Sequence, residues 1–171
     1  MGLEFYVNEH VLIPRQDTET LVELVLSEHK EKNISLLDVC TGSGCIAISL
    51  AKLGGYTDVT ALDLSEEALK VARSNGEKLL DQPVKFIKSD MFSALNPEKQ
   101  YNVIVSNPPY IPSQVIEGLE PEVKDHEPRM ALDGEPDGLK FYRILAEEGK
   151  KYLKNGGSIY MEIGWDQAKD V

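Results

Sequence analysis

The sequence has too few cysteines and histidines to build a structural zinc site or a disulfide framework. Its 171 residues include two cysteines, Cys40 and Cys45, and three histidines, His10, His29 and His126. A structural zinc site needs about four ligands in paired spacing, whereas these residues are dispersed. We therefore expect no metal site, and we expect both cysteines to be small packing residues. Cys45 precedes a predicted helix, where a lowered thiol pKa is the alternative.

Long apolar runs and an excess of basic residues are also missing. No run approaches the roughly 18 apolar residues of a membrane span. The first residues lack the basic and apolar regions of a signal peptide, so we expect a cytoplasmic protein that makes no membrane contact. The formal net charge is −11. Because duplex binding requires a basic footprint, this charge argues against direct nucleic-acid contact, while an acidic surface suits a basic protein partner or simply confers solubility.

Short apolar runs alternate with helical patterns along most of the chain. This alternation is typical of a parallel sheet covered by helices on both faces. The sequence therefore predicts an α/β fold with a Rossmann-like, doubly wound sheet. Strands are predicted at residues 35–40, 58–62, 84–87, 101–105 and 158–163, and helices at residues 46–53, 65–80 and 138–153. Ser65 is the expected N-cap of the second of these helices.

Two regions lie outside this alternation. Residues 17–32 predict a helix within a lead-in segment, residues 1–33, which we expect to pack on a single domain formed by residues 34–171. Residues 107–136 form a long loop rich in proline and carboxylates. Loops of this length in compact domains are more often functional than idle.

The first predicted strand leads into a glycine-rich turn, residues 40–44, which a helix follows at once. Glycines let backbone N–H groups approach a ligand, and a helix N-terminus offers unpaired donors. Asp63 ends the second strand, where a carboxylate can accept hydrogen bonds from ribose hydroxyls. The spacing Gly42-x-Gly44-x-x-Ala47 also fits the dinucleotide fingerprint. A nicotinamide-dependent oxidoreductase is therefore an alternative.

Two further segments are predicted to lie beside the same ligand. Asp38 lies in the strand before the glycines, where it can reach a cofactor or hold the turn. Residues 89–92, which include Asp90, Met91 and Phe92, follow the third strand and place a carboxylate and apolar groups beside an adenine-sized slot. A helix N-cap is the alternative role for Asp90.

The fourth predicted strand is followed by Asn107, Pro108, Pro109 and Tyr110, here called the 107–110 turn. Two successive prolines make a stiff turn whose carbonyls need no internal partner. The Asn side chain adds another carbonyl acceptor, so two acceptors can hold both hydrogens of a planar NH2 group, and Tyr110 can stack on that group. This arrangement would aim the nitrogen lone pair at an electrophilic methyl. A purely structural proline turn is the alternative.

With these residues the sequence resembles the release factor glutamine methyltransferases, the PrmC/HemK group. The segments most specific to that family are residues 14–19 and 127–139, whereas the 107–110 turn is shared with nucleic-acid amino-methyltransferases. The resemblance implies a class I S-adenosylmethionine-dependent methyltransferase fold. The cofactor-site residues that it implies are Cys40, Thr41, Gly42, Ser43, Gly44, Asp63, Met91 and Asn107. From the reasoning above we add Asp38, Leu64, Asp90 and Phe92, and for Phe92 a core position is the alternative.

The resemblance also implies the reaction. The substrate would be the glutamine of a Gly-Gly-Gln motif in peptide chain release factors, and the products N5-methylglutamine and S-adenosylhomocysteine. Catalysis would fall to Asn107, Pro108 and Tyr110, and substrate binding to these three with Pro109. Arg15, beside the family-specific segment 14–19, is a further candidate for substrate binding, and its alternatives are a contact that holds the 107–110 turn or a surface ion pair. The family mostly has proline in place of Gln16 and commonly glycine in place of Cys40, and the latter change bears on cofactor affinity.

The family pattern extends beyond both ends of this sequence. We expect a catalytic domain that lacks a helical N-terminal domain and is truncated after the fifth strand, so that this strand is an exposed sheet edge able to pair. Three alternatives stay open: methylation of amino groups in nucleic acid, nicotinamide-dependent redox chemistry, and a silent fragment that only binds cofactor or partner.

Overall fold

The structure, a computed structural model, describes residues 1–124 and 126–171. Within them the chain forms a five-stranded parallel sheet in the order β3-β2-β1-β4-β5. The strands are β1 (Ser35–Val39), β2 (Asp58–Asp63), β3 (Lys85–Lys88), β4 (Tyr101–Ser106) and β5 (Leu153–Met161). The predicted doubly wound α/β sheet is confirmed. The strand order reverses between β1 and β4, which is where such sheets bind ligands.

Helices cover both faces of the sheet. The longer ones are α1 (Gln16–Glu28), α2 (Cys45–Gly54), α3 (Glu66–Leu79) and α7 (Lys140–Glu148), and α7 continues into a 3-10 turn at Gly149–Tyr152. The long loop after β4 contains short helices α4 (Ser113–Ile116), α5 (Pro121–Lys124) and α6 (Arg129–Leu132). Among the described residues, none of the helices has the length and apolarity needed to cross a membrane.

The two faces of the sheet bury different side chains because alternate residues of a strand point to opposite sides. Leu36 of β1 belongs to a core cluster with Leu50 of α2 and Val25 of α1. Its neighbour Leu37 belongs to a second cluster with Leu145 of α7. All of β1 is buried, as expected of a strand between two helical layers. The core thus fixes the carboxyl ends of β1 and β4 side by side.

Helix α1 ends earlier than predicted. The helical pattern suggested residues 17–32, but α1 ends at Glu28. His29 leaves the helical region with φ −114° and ψ 90°. Its carbonyl accepts a hydrogen bond from the Tyr56 hydroxyl, and Lys32 turns to the carbonyl of Gly54. The Tyr56 hydroxyl thus satisfies the His29 carbonyl, which a further helical turn would otherwise have bonded.

The start of β5 also differs from the prediction. The strand was expected at residues 158–163 but begins at Leu153, which pairs with Tyr101, whereas Ser158 pairs with Val103. Residues 154–157 therefore form a bulge, and Gly156 within it has φ +80°. Bulges of this kind are frequent at sheet edges. The N-cap prediction for α3 is confirmed, since the Ser65 side chain accepts from the backbone N–H of Ala68 at 3.2 Å.

Candidate functional site

A cleft opens at the carboxyl ends of β1, β2 and β4. The glycine turn forms its floor, and the ends of β2 and β4 form its sides. Of the predicted site residues, those that line it are Arg15, Cys40, Thr41, Gly42, Ser43, Asp63, Leu64, Asp90, Met91, Asn107 and Pro109. Asp38, Gly44, Phe92, Pro108 and Tyr110 are outside the lining. Further lining residues had no individual role in the prediction. Pro14, Thr18, Pro128, Met130 and Ala131 come from the family-specific segments 14–19 and 127–139, and Val11, Leu12, Ala68 and Phe141 come from elsewhere.

The glycine turn holds an unusual backbone conformation. Cys40, Gly42 and Gly44 have φ of 63°, 55° and 82°, all in the left-handed region that favours glycine. At Gly44 an added Cβ would also meet Ile48 at 2.9 Å. For Cys40 this conformation costs roughly 1–2 kcal/mol, a cost that glycine at this position would not incur. The turn therefore presents its backbone to the cleft at an energetic cost.

Asp38 holds this turn from below. Its Oδ2 accepts from the Thr41 hydroxyl at 2.6 Å and from the backbone N–H of Ala47 at 3.2 Å, whereas its Oδ1 is buried with no hydrogen-bond partner among the described residues. Burial raises the pKa of this carboxyl to about 7, against the lowering effect of the two hydrogen bonds. Asp38 was predicted either to reach a cofactor or to hold the turn, and its two hydrogen bonds show that it holds the turn.

Asp63 joins the turn to the end of β2. Its Oδ2 accepts from the N–H of Gly42 at 2.8 Å and its Oδ1 from the N–H of Ser65 at 2.9 Å. Burial raises the pKa of Asp63 although both backbone bonds oppose the shift. The side chain still lines the cleft. Each oxygen retains a lone pair, so the carboxylate can accept further bonds from a ligand hydroxyl.

The segment after β3 divides between cleft and core. Asp90 and Met91 line the cleft, and Met91 has φ +46°. Phe92 is 1% exposed and stacks on Tyr152 with ring centroids 5.2 Å apart. Phe92 belongs to the buried cluster beneath α7 and does not line the cleft, so of its two predicted positions the structure shows the core one.

The 107–110 turn is fixed from several sides. Asn107 Nδ2 donates to the Thr18 hydroxyl at 3.3 Å, and its Oδ1 receives no hydrogen bond from the described part of the chain. The carbonyl of Tyr110 accepts from Gln167 Nε2 at 3.0 Å. An added Cβ at Gly138 would lie 2.4 Å from that same carbonyl oxygen. This close approach leaves room only for glycine at position 138, where the segment before α7 packs against the turn.

Arg15 and Glu127 form an ion pair across 112 residues of sequence. Arg15 Nη2 lies 2.7 Å and 2.9 Å from the two carboxylate oxygens of Glu127. The Glu127 side chain is 2% exposed, and the Arg15 guanidinium is the cation that pairs with this buried carboxylate. The pair joins the turn before α1 to the start of α6, and both segments line the mouth of the cleft.

Neither cysteine has the environment of a reactive thiol. Burial raises the pKa of Cys45 to about 12, which is opposite to the lowering considered for a thiol at a helix start. Burial also raises the pKa of the Cys40 thiol, and nearby Asp63 adds to the effect. Across residues 1–124 and 126–171, no group of three or more His, Cys, Asp or Glu side chains is placed to hold a metal ion.

Comparison with known proteins agrees with this arrangement. The family described as methyltransferase small domain matches residues 16–118. The release factor glutamine methyltransferase of Streptococcus pneumoniae is 46% identical over 99% of this chain and 60% of its own length. The protein of the same name from Fusobacterium nucleatum is 45% identical over 99% of this chain and 48% of its own length. This chain therefore spans about half to three fifths of these relatives.

A solved structure shares the fold. The methyltransferase from Pyrococcus furiosus superposes with a TM-score of 0.70 at 22% identity, over 98% of this chain and 72% of that one. The predicted class I methyltransferase fold is confirmed, as is the resemblance to the release factor glutamine methyltransferases. The family match gives no support to the nicotinamide-dependent alternative.

Proposed function

Because this chain belongs to the methyltransferase small domain family, we propose that it is the catalytic part of an S-adenosylmethionine-dependent enzyme that methylates a glutamine side chain. The observation that carries the proposal is the Asn107 amide. Its Nδ2 is bonded to Thr18, so its Oδ1 is left as an acceptor at the edge of a cofactor-type cleft. Relatives named release factor glutamine methyltransferase are 42–46% identical to the chain over the aligned region, which covers nearly all of this chain.

The residues of the cleft fit S-adenosylmethionine. The turn at the start of α2 offers backbone donors for a carboxylate, and Asp63 at the end of β2 can accept from ribose hydroxyls. Leu64 and Met91 supply apolar surface for an adenine ring. Asp38 lies below the turn, and its Oδ1 has no hydrogen-bond partner among the described residues. A positively charged ligand in the neighbouring cleft would stabilise the ionised form of this carboxyl. When bound, this cofactor supplies an electrophilic methyl group on a sulfonium.

In the proposed reaction, the 107–110 turn holds the substrate amide. Asn107 Oδ1 and the Pro108 carbonyl oxygen each accept a hydrogen bond from one N–H of a planar NH2 group, and neither oxygen has a donor among the described residues. An amide nitrogen is a poor nucleophile, so positioning and local electrostatics supply most of the rate enhancement. No strong base is needed before attack, because the nitrogen becomes acidic once it has gained a methyl.

The relatives' names point to a release factor as the substrate protein. We propose that the target is the glutamine of its Gly-Gly-Gln motif and that the product is N5-methylglutamine. The net charge of −11 favours a protein over a nucleic acid as the macromolecular substrate, because nucleic-acid binding depends on cationic contacts to phosphates.

The test is label transfer from radioactive S-adenosylmethionine. The chain is incubated with a release factor, with its Gly-Gly-Gln variant carrying alanine for glutamine, or with nucleic acid. We expect label in the first sample alone. Equal labelling of both release factors, or labelling of nucleic acid in their place, would refute the proposal.

Asn107→Ala provides the mechanistic arm. It should lower turnover by about 100-fold or more, because the lost acceptor acts where the reacting nitrogen is held, while the cofactor Kd measured by calorimetry changes little. The matched control is Asn155→Ala at an exposed position of the β5 bulge, which should keep parental turnover. Turnover of Asn107→Ala equal to that of the control would contradict the mechanism.

A further inference from the structure

We infer that Glu162, which lies outside the cleft, is a positioning residue that sets the orientation of the Asn107 amide through the Thr18 hydroxyl. The inference rests on the proposed function for its catalytic meaning. Glu162 follows β5 directly, and its N–H donates to the carbonyl of Ser106 at 3.0 Å. The end of β5 thus places this carboxylate beside the residue that precedes Asn107.

The direction of each hydrogen bond follows from the number of protons available. Thr18 is 5% exposed, and its hydroxyl donates to Glu162 Oε2 at 2.7 Å. An ionised carboxylate accepts and never donates, and a hydroxyl has one proton to give. The Thr18 oxygen is therefore left as an acceptor toward Asn107, which donates from Nδ2 at 3.3 Å. The amide has to present Nδ2 to Thr18, which turns Oδ1 away from it and leaves that oxygen free for the substrate.

The second oxygen of the same carboxylate reaches the other end of the 107–110 turn. The Tyr110 hydroxyl donates to Glu162 Oε1 at 3.4 Å, and the Tyr142 hydroxyl donates to the backbone carbonyl of Glu162 at 3.0 Å. The Glu162 carboxylate therefore contacts Thr18, which bonds to Asn107 at one end of the turn, and Tyr110 at the other end. Since Thr18 and Asn107 line the cleft and Glu162 does not, Glu162 acts through them.

Without the carboxylate, the Thr18 proton is released from this bond. The hydroxyl can then donate to Asn107 Oδ1, and the amide can rotate to present its NH2 to the substrate. Two NH2 groups facing each other lack an acceptor between them, so the substrate amide is held poorly. The direct structural consequences are an Asn107 amide free to rotate and a Tyr110 hydroxyl that has lost its acceptor, and the kinetic consequence falls on methyl transfer.

The kinetic experiment compares Glu162→Ala and Thr18→Val with the parent. Both should lower kcat/KM for the release factor by about 10- to 100-fold, as expected when a reacting group is misplaced, with the cofactor Kd unchanged. Thr18→Ser keeps the hydroxyl and should restore most of the activity. Glu147→Ala, at an exposed position of α7, is the control and should match the parent. Parental kcat/KM in Glu162→Ala and Thr18→Val would overturn the inference.

A second readout separates this inference from the proposed function. In chain labelled with ¹⁵N, NMR should show the Asn107 side-chain amide with one hydrogen slowed in solvent exchange, because Thr18 accepts it. Thr18→Ser should retain this protection, whereas Thr18→Val and Glu162→Ala should lose it. The Thr18 pair decides the matter even if Glu162→Ala does not fold. Protection that survives in Thr18→Val would overturn the inference. If the parent transfers no methyl group but shows this pattern, the proposed function fails while the amide geometry stands.

Discussion

Replacing Asp38 with asparagine should change how the free energy of unfolding depends on pH. The folded chain holds this carboxyl buried with one oxygen unpaired, which raises its pKa from the ordinary value of 3.8 to about 7. Between these two values the unfolded chain ionises Asp38 while the folded chain keeps it protonated. Folding is then opposed by about 1.4 kcal/mol for each pH unit, which accumulates to roughly 4 kcal/mol.

The sign is set by which state binds more protons. Below about pH 4 the carboxyl is protonated in both states, so the parent pays no penalty. As pH rises from about 4 to about 7, the folded state binds more protons than the unfolded state, and the parent loses stability. Above about pH 7 both states are ionised, and the loss is complete. Asparagine does not titrate, so the free energy of unfolding of Asp38→Asn should rise relative to that of the parent between about pH 4 and about pH 7. Above about pH 7 the difference between the two proteins should stay constant.

The assay is urea unfolding of both proteins at a series of pH values, with the difference in unfolding free energy plotted against pH. Other carboxylates affect both proteins equally and cancel in the difference. Asp166→Asn, at an exposed position, is the matched control because it removes one carboxylate from the surface rather than from below the glycine turn. Parallel curves for the parent and Asp38→Asn would refute the assignment of a buried, half-satisfied carboxyl below the glycine turn.

Two further changes test the supports of the site by thermal or urea unfolding. Gly138→Ala should lower the free energy of unfolding by about 2 kcal/mol or more, since φ is +75° and the new Cβ would lie 2.4 Å from the Tyr110 carbonyl oxygen. The control is Gly118→Ala, whose Cβ meets nothing closer than 3.5 Å and which should cost much less. Equal losses in the two variants would contradict the packing argument. Arg15→Ala should lower the free energy of unfolding by roughly 3 kcal/mol, because it leaves the buried Glu127 carboxylate without its cation. Glu127→Gln leaves no buried charge and should lower it by less. The reverse order of the two variants would contradict this account.

The sequence predicted the elements that carry a local pattern. The buried strands beside the switch point stand within a residue or two of their predicted bounds, because continuous apolar runs between helices have few other solutions. Ser65 was predicted as an N-cap, since the serine and the carboxylates after it form a local signal. For the positive φ of Cys40 the sequence offered one indication, namely that the family it resembles commonly has glycine at this position.

The hydrogen bonds that orient the side chains of the site could not be predicted from local sequence patterns. Thr18 and Asn107 are 89 residues apart, and Thr18 and Glu162 are 144 apart. A hydrogen bond between side chains so distant in sequence leaves no periodicity to read. Glu162 was accordingly missed. The early end of α1 depended on Tyr56, a residue beyond the next helix, so helical propensity alone gave a helix that was too long.

The orientation of the Asn107 amide has a consequence for substrate choice under the proposed function. Asn107 Oδ1 and the Pro108 carbonyl are two acceptors with no donor between them. A glutamine side chain satisfies both with its NH2 group. A glutamate side chain would bring lone pairs and negative charge against the same oxygens, and a site built to accept hydrogen bonds rejects a partner that has none to give. The direction of one proton on Thr18 thus lets the cleft distinguish an amide from the acid formed by its deamidation.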